Sequence, residues 1–399
     1  MAPVLAVAAV GCSPGTSPQI LVSSSEQGKV VDLSRDGSTY RVPDPLPSGP
    51  RGSLLAAHHD GPSSKLGGAD RYTVLYKSSD LAGRDATASG VVLVPQGQPP
   101  EGGWPVVSWA HGTIGIADRC APSQTGNLGY DEYADEVAGL VKAGYAVAAT
   151  DYIGLGTPGP HLYMNRVEQG NAVADIVPAA RQLVPSLGER WFAIGHSQGG
   201  AAALEASGAG SPASVVAVAP GGSADRVSVL LSGSDSTVGN ERGPLYLTYL
   251  LLALSDADPD VHLSDLLTPE GVQTAQLVRD HACLSDPASI PPLSASMFNS
   301  AALKDSAFLS KLADYANPDR GEVRGPVLVI TGEKDTDVPT PLTDSLVQAL
   351  ERKDSTVSTQ VVPGADHDEA LQQTLCEQLG FLAQHGGNQI PEGRCPARP

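Results

Sequence analysis

Residues 195–199 read Gly195-His196-Ser197-Gln198-Gly199, directly after the apolar run Trp191-Phe192-Ala193-Ile194 and before the small residues 200–203. That order predicts a strand, a sharp turn and a helix. The turn is strained and crowded from both sides, so its flanking positions need glycine. A serine at its apex stands at the edge of a sheet, where the first amides of the helix point toward its hydroxyl. Few arrangements meet these demands, and all of them need a sheet with a helix packed behind the strand.

The rest of the chain supplies such a sheet. Tyr72-Thr73-Val74-Leu75-Tyr76 and the apolar stretch 88–95 have hairpin character. From there short apolar strands alternate with helical patterns: strands at 105–109, 145–150, 191–194, 214–220, 326–331 and 357–362, helices at 133–143, 171–184 and 342–352. Continuously apolar strands separated by helices predict an α/β fold, with a mostly parallel central sheet covered on both faces. Residues 222–323 break the rhythm. They hold the run 245–254, apolar on every face and too short to span a bilayer, with helical pieces at 272–280 and 301–313 around it. This stretch reads as a helical cap inserted between two core strands, over the strand ends. The expected organisation is a leader at 1–12, a Ser/Gly/Pro-rich segment at 13–67 with ordered structure beginning near Tyr72, a first core part at 68–221, the cap at 222–323, and a second core part with the C-terminal tail at 324–399.

Composition narrows the partners. With a net charge of −19 the chain is a poor ligand for nucleic acid, and its 41% hydrophobic residues suffice for a substantial core. No stretch beyond the N-terminus is long enough to be a transmembrane helix. Residues 1–10 are apolar and precede Gly11 and Cys12, which resembles the tail of a bacterial lipoprotein signal peptide. Export to the cell surface or medium is the expectation, with a lipid anchor on Cys12. The other four cysteines lack zinc-site spacing. They allow three pairings; because Cys376 and Cys395 close a short C-terminal loop, Cys120–Cys283 with Cys376–Cys395 is the pairing expected, an oxidising compartment suits both bonds, and four buried thiols are the alternative.

A serine hydroxyl is a weak nucleophile and needs a base held by a third group. Asp335 follows the strand ending at Thr331, and His367 follows the last strand, so nucleophile, acid and base come in the order Ser197, Asp335, His367, each at a strand end. Asp337 competes for the acid role. Asp366 and Asp368 flank His367 but point elsewhere, and Asp366-His367-Asp368-Glu369, with a single histidine, is a poor metal site. Two donors must meet a developing oxyanion. One is the Gln198 amide; the other belongs to the loop Ala110-His111-Gly112-Thr113-Ile114-Gly115 and is assigned to Thr113, with Gly112 as fallback. His111 and His196 brace these loops. The remaining histidines satisfy no triad order and read as surface or structural.

Taken together, Trp109-Ala110-His111-Gly112-Thr113, Asp151-Tyr152-Ile153-Gly154-Leu155-Gly156, the 195–200 turn, Ala219-Pro220-Gly221-Gly222 and the Asp335 and His367 segments resemble the secretory lipases of the α/β-hydrolase superfamily. The matching pieces span about residues 70 to 380. The resemblance implies a lipase or carboxylesterase with a helical lid and no cofactor, cleaving acylglycerols or other lipid esters through an acyl-enzyme on Ser197. It assigns Asp335 and His367 as the partners of that serine, and Gln198 and Thr113 as oxyanion donors. An acyltransferase using the same triad, a peptidase and a non-catalytic surface binding lipoprotein are the competing readings.

Overall fold

The computed structural model describes residues 31–32, 40–221, 242–353, 355–390 and 395. The leader and Cys12 lie outside the described residues. The strands are β1 Val31–Asp32, β2 Leu54–Ser63, β3 Ala69–Ser79, β4 Asp85–Val94 and β5 Trp104–Ala110, followed by β6 Ala146–Ile153, β7 Leu187–His196, β8 Val215–Val218, β9 Pro326–Gly332 and β10 Thr356–Val362. They form a single ten-stranded sheet in the order β1-β2-β3-β4-β6-β5-β7-β8-β9-β10. From β6 through β10 every neighbour pair is parallel, while β2, β3, β4 and β6 pair antiparallel.

Strands buried on both faces explain why the sequence reads as continuous apolar runs rather than alternation. In β6 Ala146 and Ala148 face one core and Val147 and Ala149 the other. Helices α2 Arg166–Leu183 and α3 Gln198–Gly210 cover the first face, joined by a third helix at Thr340–Glu351; α1 Asp131–Lys142 covers the second. The alanines of α3, at 202, 203 and 206, let this helix lie close against the sheet.

Ordered structure begins earlier than the sequence pattern indicates. β2 falls inside the Ser/Gly/Pro-rich segment 13–67, where His58, His59, Asp60, Gly61 and Pro62 look like a loop. Pairing with β3 overrides that weak propensity, at the cost of register shifts between Leu54 and Ala56 and between His59 and Gly61. Further along, two short helices follow β10, at His367–Gln372 and Leu375–Gln384; the sequence reading gives no helix there.

Between β8 and β9 the described residues form helices α4 Gly243–Ala257, α5 Leu263–Leu266, α6 Pro269–His281 and α7 Ser306–Ala316. In chain order the helices that follow are therefore α8 Thr340–Glu351, α9 His367–Gln372 and α10 Leu375–Gln384. Helices α4 to α7 share an apolar cluster of their own, which reaches Ile116, Leu162, Tyr163 and Met164 on core loops. In α4 the leucines at 245, 247, 250, 251, 252 and 254 are all buried, and full burial of each stabilises the packing by about 1.5–3 kcal/mol. A bridge between Cys120 and Cys283, Cα atoms 5.6 Å apart, ties the end of α6 to the loop after β5. Beside it the Leu284 amide donates to the Ile114 carbonyl (2.8 Å). Cys376 and Cys395 are bridged as well, with 5.7 Å between Cα atoms.

Replacing Cys120 and Cys283 together by serine is expected to lower the free energy of unfolding by about 2–5 kcal/mol, because the closed loop is long. Denaturant melts of the two proteins check this; superimposable curves would contradict it.

Candidate active site

Ser197 opens α3 with φ 56° and ψ −118°, a left-handed backbone that costs a non-glycine residue about 1–3 kcal/mol. Neighbouring backbone groups hold it there. The Ser197 amide donates to the Val218 carbonyl (2.9 Å), and its carbonyl accepts from the amides of Gly200 (3.0 Å) and Gly221 (2.9 Å). The flanking glycines are required by contact. A Cβ on Gly195 would sit 2.0 Å from the Gly199 carbonyl oxygen, and one on Gly199 would sit 1.9 Å from that of Ala110.

Strands β9 and β10 run parallel with Gly332 opposite Val362, so the loops after them leave the sheet side by side. The Lys334 amide donates to the Ala365 carbonyl (2.8 Å) and stitches the loops together. His367 Nδ1 lies 2.7 Å from Asp335 Oδ2, with the aspartate side chain fully buried and the histidine 10% exposed. The other oxygen, Asp335 Oδ1, accepts from the amides of Asp337 (2.9 Å) and Val338 (2.7 Å). Nδ1 therefore donates to the carboxylate, and Nε2 of the neutral ring is an acceptor. Asp337, the competing acid, does not contact His367; its carboxylate receives the Tyr246 hydroxyl (3.4 Å) and lies 3.9 Å from the Arg242 guanidinium. Asp366 caps α9 in a capping box with Glu369. That is the ordinary explanation of the acidic run around His367, and its D-x-x-E spacing was legible in the sequence.

Ser197, His367 and Thr113 line one cavity of about 180 Å³, together with Tyr130, Tyr246 and Asp368. Ser197 Oγ and His367 Nε2 share this space without a hydrogen bond between them, a separation common before substrate binds. The Gln198 amide is at the first turn of α3, where no carbonyl four residues back can receive it. Thr113 is held through its other groups: its hydroxyl pairs with Tyr163 (2.7 Å) and its carbonyl accepts from Tyr130 (3.2 Å). The fallback donor, the Gly112 amide, is already spent on the Tyr133 hydroxyl (3.1 Å). The tyrosines at 130, 133, 163 and 246 escaped the sequence reading; the spacing of Tyr130 and Tyr133, three apart at the start of an amphipathic helix, was the available signal.

The histidines separate electrostatically. Burial pushes His196 down to about 3 and His111 and His161 down to about 4, so all three are neutral. Burial also opposes the charge on His367, but the hydrogen bond and charge of Asp335, aided by Asp337 and Asp368, outweigh it and raise its pKa above the ordinary 6.5. Among the described residues, donor atoms of His196, His367 and Asp368 come within 4.8 Å of one another and could approach a metal ion. His196 Nε2 is engaged with the His367 carbonyl (3.1 Å) and His367 Nδ1 with Asp335.

Parallel strands that deliver a serine turn, then an acid, then a histidine to one edge of the sheet are the arrangement of the α/β-hydrolases. The lipase-like α/β-hydrolase implied by the motifs is the fold observed. The family model of the serine aminopeptidases, S33, matches residues 129–371, and the chain belongs to that family. Among solved structures, lipase A of Candida antarctica in its closed state superposes with a TM-score of 0.71 at 17% identity, covering 87% of this chain and 88% of that one. The rice cell wall degrading esterase LipA of Xanthomonas oryzae gives 0.69 at 19% identity, covering 84% and 100%. A hydrolase of Legionella pneumophila gives 0.66 at 19% identity, covering 81% and 91%. A search of curated proteins finds no match to this sequence.

In an NMR titration His367 is expected to gain its proton at a pH above 6.5, while His111, His161 and His196 stay neutral down to about pH 5. Asp335→Asn removes the main opposing charge and should move the His367 midpoint below 6.5. A midpoint unmoved by that substitution would contradict the electrostatic account.

Proposed function

We propose that this chain is a carboxylic ester hydrolase of the lipase and carboxylesterase type. The observation that carries the reading is the 2.7 Å Asp335–His367 pair at the wall of the cavity that Ser197 also lines. In the proposed reaction His367 Nε2 takes the Ser197 proton as Oγ attacks the ester carbonyl. The amides of Gln198 and Thr113 receive the oxyanion, and the imidazolium returns its proton to the departing alcohol. Water, deprotonated by the same ring, then attacks the acyl-serine; the bond to Oγ breaks, the imidazolium gives its proton to Oγ, and the carboxylic acid leaves. Asp335 keeps the ring in the tautomer that each step needs.

The helices 243–316 act as the cap in this reading: Tyr246 from α4 helps wall the cavity, and the buried leucines behind it support a preference for lipid-like acyl groups. Two disulfide bridges support export to an oxidising compartment, and no helix of the described residues is long and apolar enough to cross a membrane. Lipid attachment at Cys12 belongs to the same proposal and is checked by mass spectrometry of the N-terminal peptide.

A series of p-nitrophenyl esters from acetate to palmitate, run on the wild type and Ser197→Ala, tests the reading. Loss of at least about 1000-fold in the variant is expected, with kcat/KM falling as pH drops through the raised pKa of His367, above 6.5. Equal rates in the two proteins would end the proposal. Amino-acid p-nitroanilides run alongside test the activity in the family's name; faster cleavage of these than of any ester would make the chain a peptidase. Ester exchange onto added alcohols in preference to water would make it an acyltransferase.

A further inference from the structure

A second chain of hydrogen bonds runs beneath the Asp335–His367 pair. The Gly112 amide donates to the Tyr133 hydroxyl oxygen (3.1 Å), that hydroxyl meets His196 Nδ1 (3.1 Å), and His196 Nε2 meets the His367 carbonyl (3.1 Å). Each proton in it has one place. A carbonyl only accepts, so His196 carries its hydrogen on Nε2. The neutral ring then offers Nδ1 as an acceptor, and the Tyr133 hydrogen fills it while its oxygen receives Gly112. Burial that keeps His196 neutral fits this pattern. Tyr133, His196 and His367 are each under 9% exposed, so an unmade bond here could not be replaced easily by water.

The geometry of Gly112 belongs to the same device. A Cβ at this position would sit 2.3 Å from the Tyr133 oxygen, so the glycine is what lets the amide reach it. Trp109 meets Tyr133 edge-on at 5.6 Å between ring centroids, and the His196 ring lies 4.7 Å from that of His367. The chain joins two segments far apart in sequence, the loop holding Gly112 and Thr113 and the start of α9 at His367, through the residue before Ser197.

We infer that Tyr133 and His196 are positioning residues, a hydrogen-bonded strut that fixes the distance between the Thr113 amide and the His367 ring. The inference rests on the ester-hydrolase reading. Both residues act through backbone: Tyr133 through Gly112 and His196 through the His367 carbonyl. A reacting carbonyl must meet an oxyanion donor and a proton acceptor at once, and a displacement of about 1 Å between them costs on the order of 100-fold in rate.

The test uses Tyr133→Phe, His196→Phe, their double variant and His196→Gln on a p-nitrophenyl ester. Active sites are counted with a fluorophosphonate so that unfolded protein does not enter kcat. Each Phe variant is expected to lose about 10- to 100-fold in kcat per titrated site with KM unchanged. The double variant should lose no more than the worse single one, because one broken link already releases the strut. Glutamine, which accepts with one atom and donates with the other, should restore most of the rate. Wild-type kcat in Tyr133→Phe, or losses that multiply in the double variant, would overturn the inference. Should the variants fail to fold, imidazole nitrogen shifts of the wild type decide: His196 as the Nε2–H tautomer supports the strut and Nδ1–H overturns it. If Ser197→Ala keeps full activity, the ester-hydrolase reading itself has failed; if only that variant is dead, the failure belongs to the strut alone.

Discussion

The backbone of Gly199 lies against the carbonyl of Ala110 so closely that no side chain fits between them. Much of the molecule depends on this contact. It brings the first turn of α3 against the end of β5, which places the Gln198 amide near the loop where Thr113 begins. It also explains the strain at Ser197, because a helix that starts this close to a neighbouring strand leaves the connecting residue no relaxed backbone. The hydrogen bonds from Gly200 and Gly221 to the Ser197 carbonyl offset that strain and keep the turn from relaxing. The nucleophile candidate is therefore held by packing between neighbouring strands, with side-chain bonding secondary.

Asp335 and His367 obey a different constraint, the register of β9 and β10. Pairing Gly332 with Val362 sends both chain ends out of the sheet together. The Lys334–Ala365 bond keeps the loops adjacent, so Asp335 meets His367 across a distance that loop sequence alone does not fix. Charge then tunes the pair. Asp337 and Asp368 do not touch the imidazole, yet they add to the pull that keeps it basic despite burial. Negative charge near a buried base raises its pKa at no cost in contacts.

What the sequence disclosed follows from which signals are local. The Gly195–Gly199 turn, the parallel-strand runs and the order Ser197, Asp335, His367 are each readable from neighbouring residues, because strained turns and doubly buried strands admit few side chains. β2 was not legible, since its residues form a strand only when β3 is beside them. The tyrosines of the site were hardly legible either: Tyr133 and Tyr163 matter through partners 21 and 50 positions away, and the three-residue spacing of Tyr130 and Tyr133 marks a helix face without naming those partners. For Asp366 the sequence excluded a part in orienting His367 but left its actual role unnamed. Its capping box with Glu369 is a three-residue spacing that explains the acidic run.

The wall of the cavity draws on both the sheet and the inserted helices. Ser197, Thr113 and His367 belong to strand ends of the sheet, whereas Tyr246 belongs to a helix inserted between β8 and β9. In the proposed ester hydrolase, reactivity and selectivity would thus be written in separate stretches of chain. An inserted segment can lengthen, shorten or exchange side chains without moving the strand register beneath it. Such a molecule can drift among substrates over evolutionary time while its chemistry stays constant, and for an engineer the insertion is the part to randomise and the sheet edge the part to leave alone.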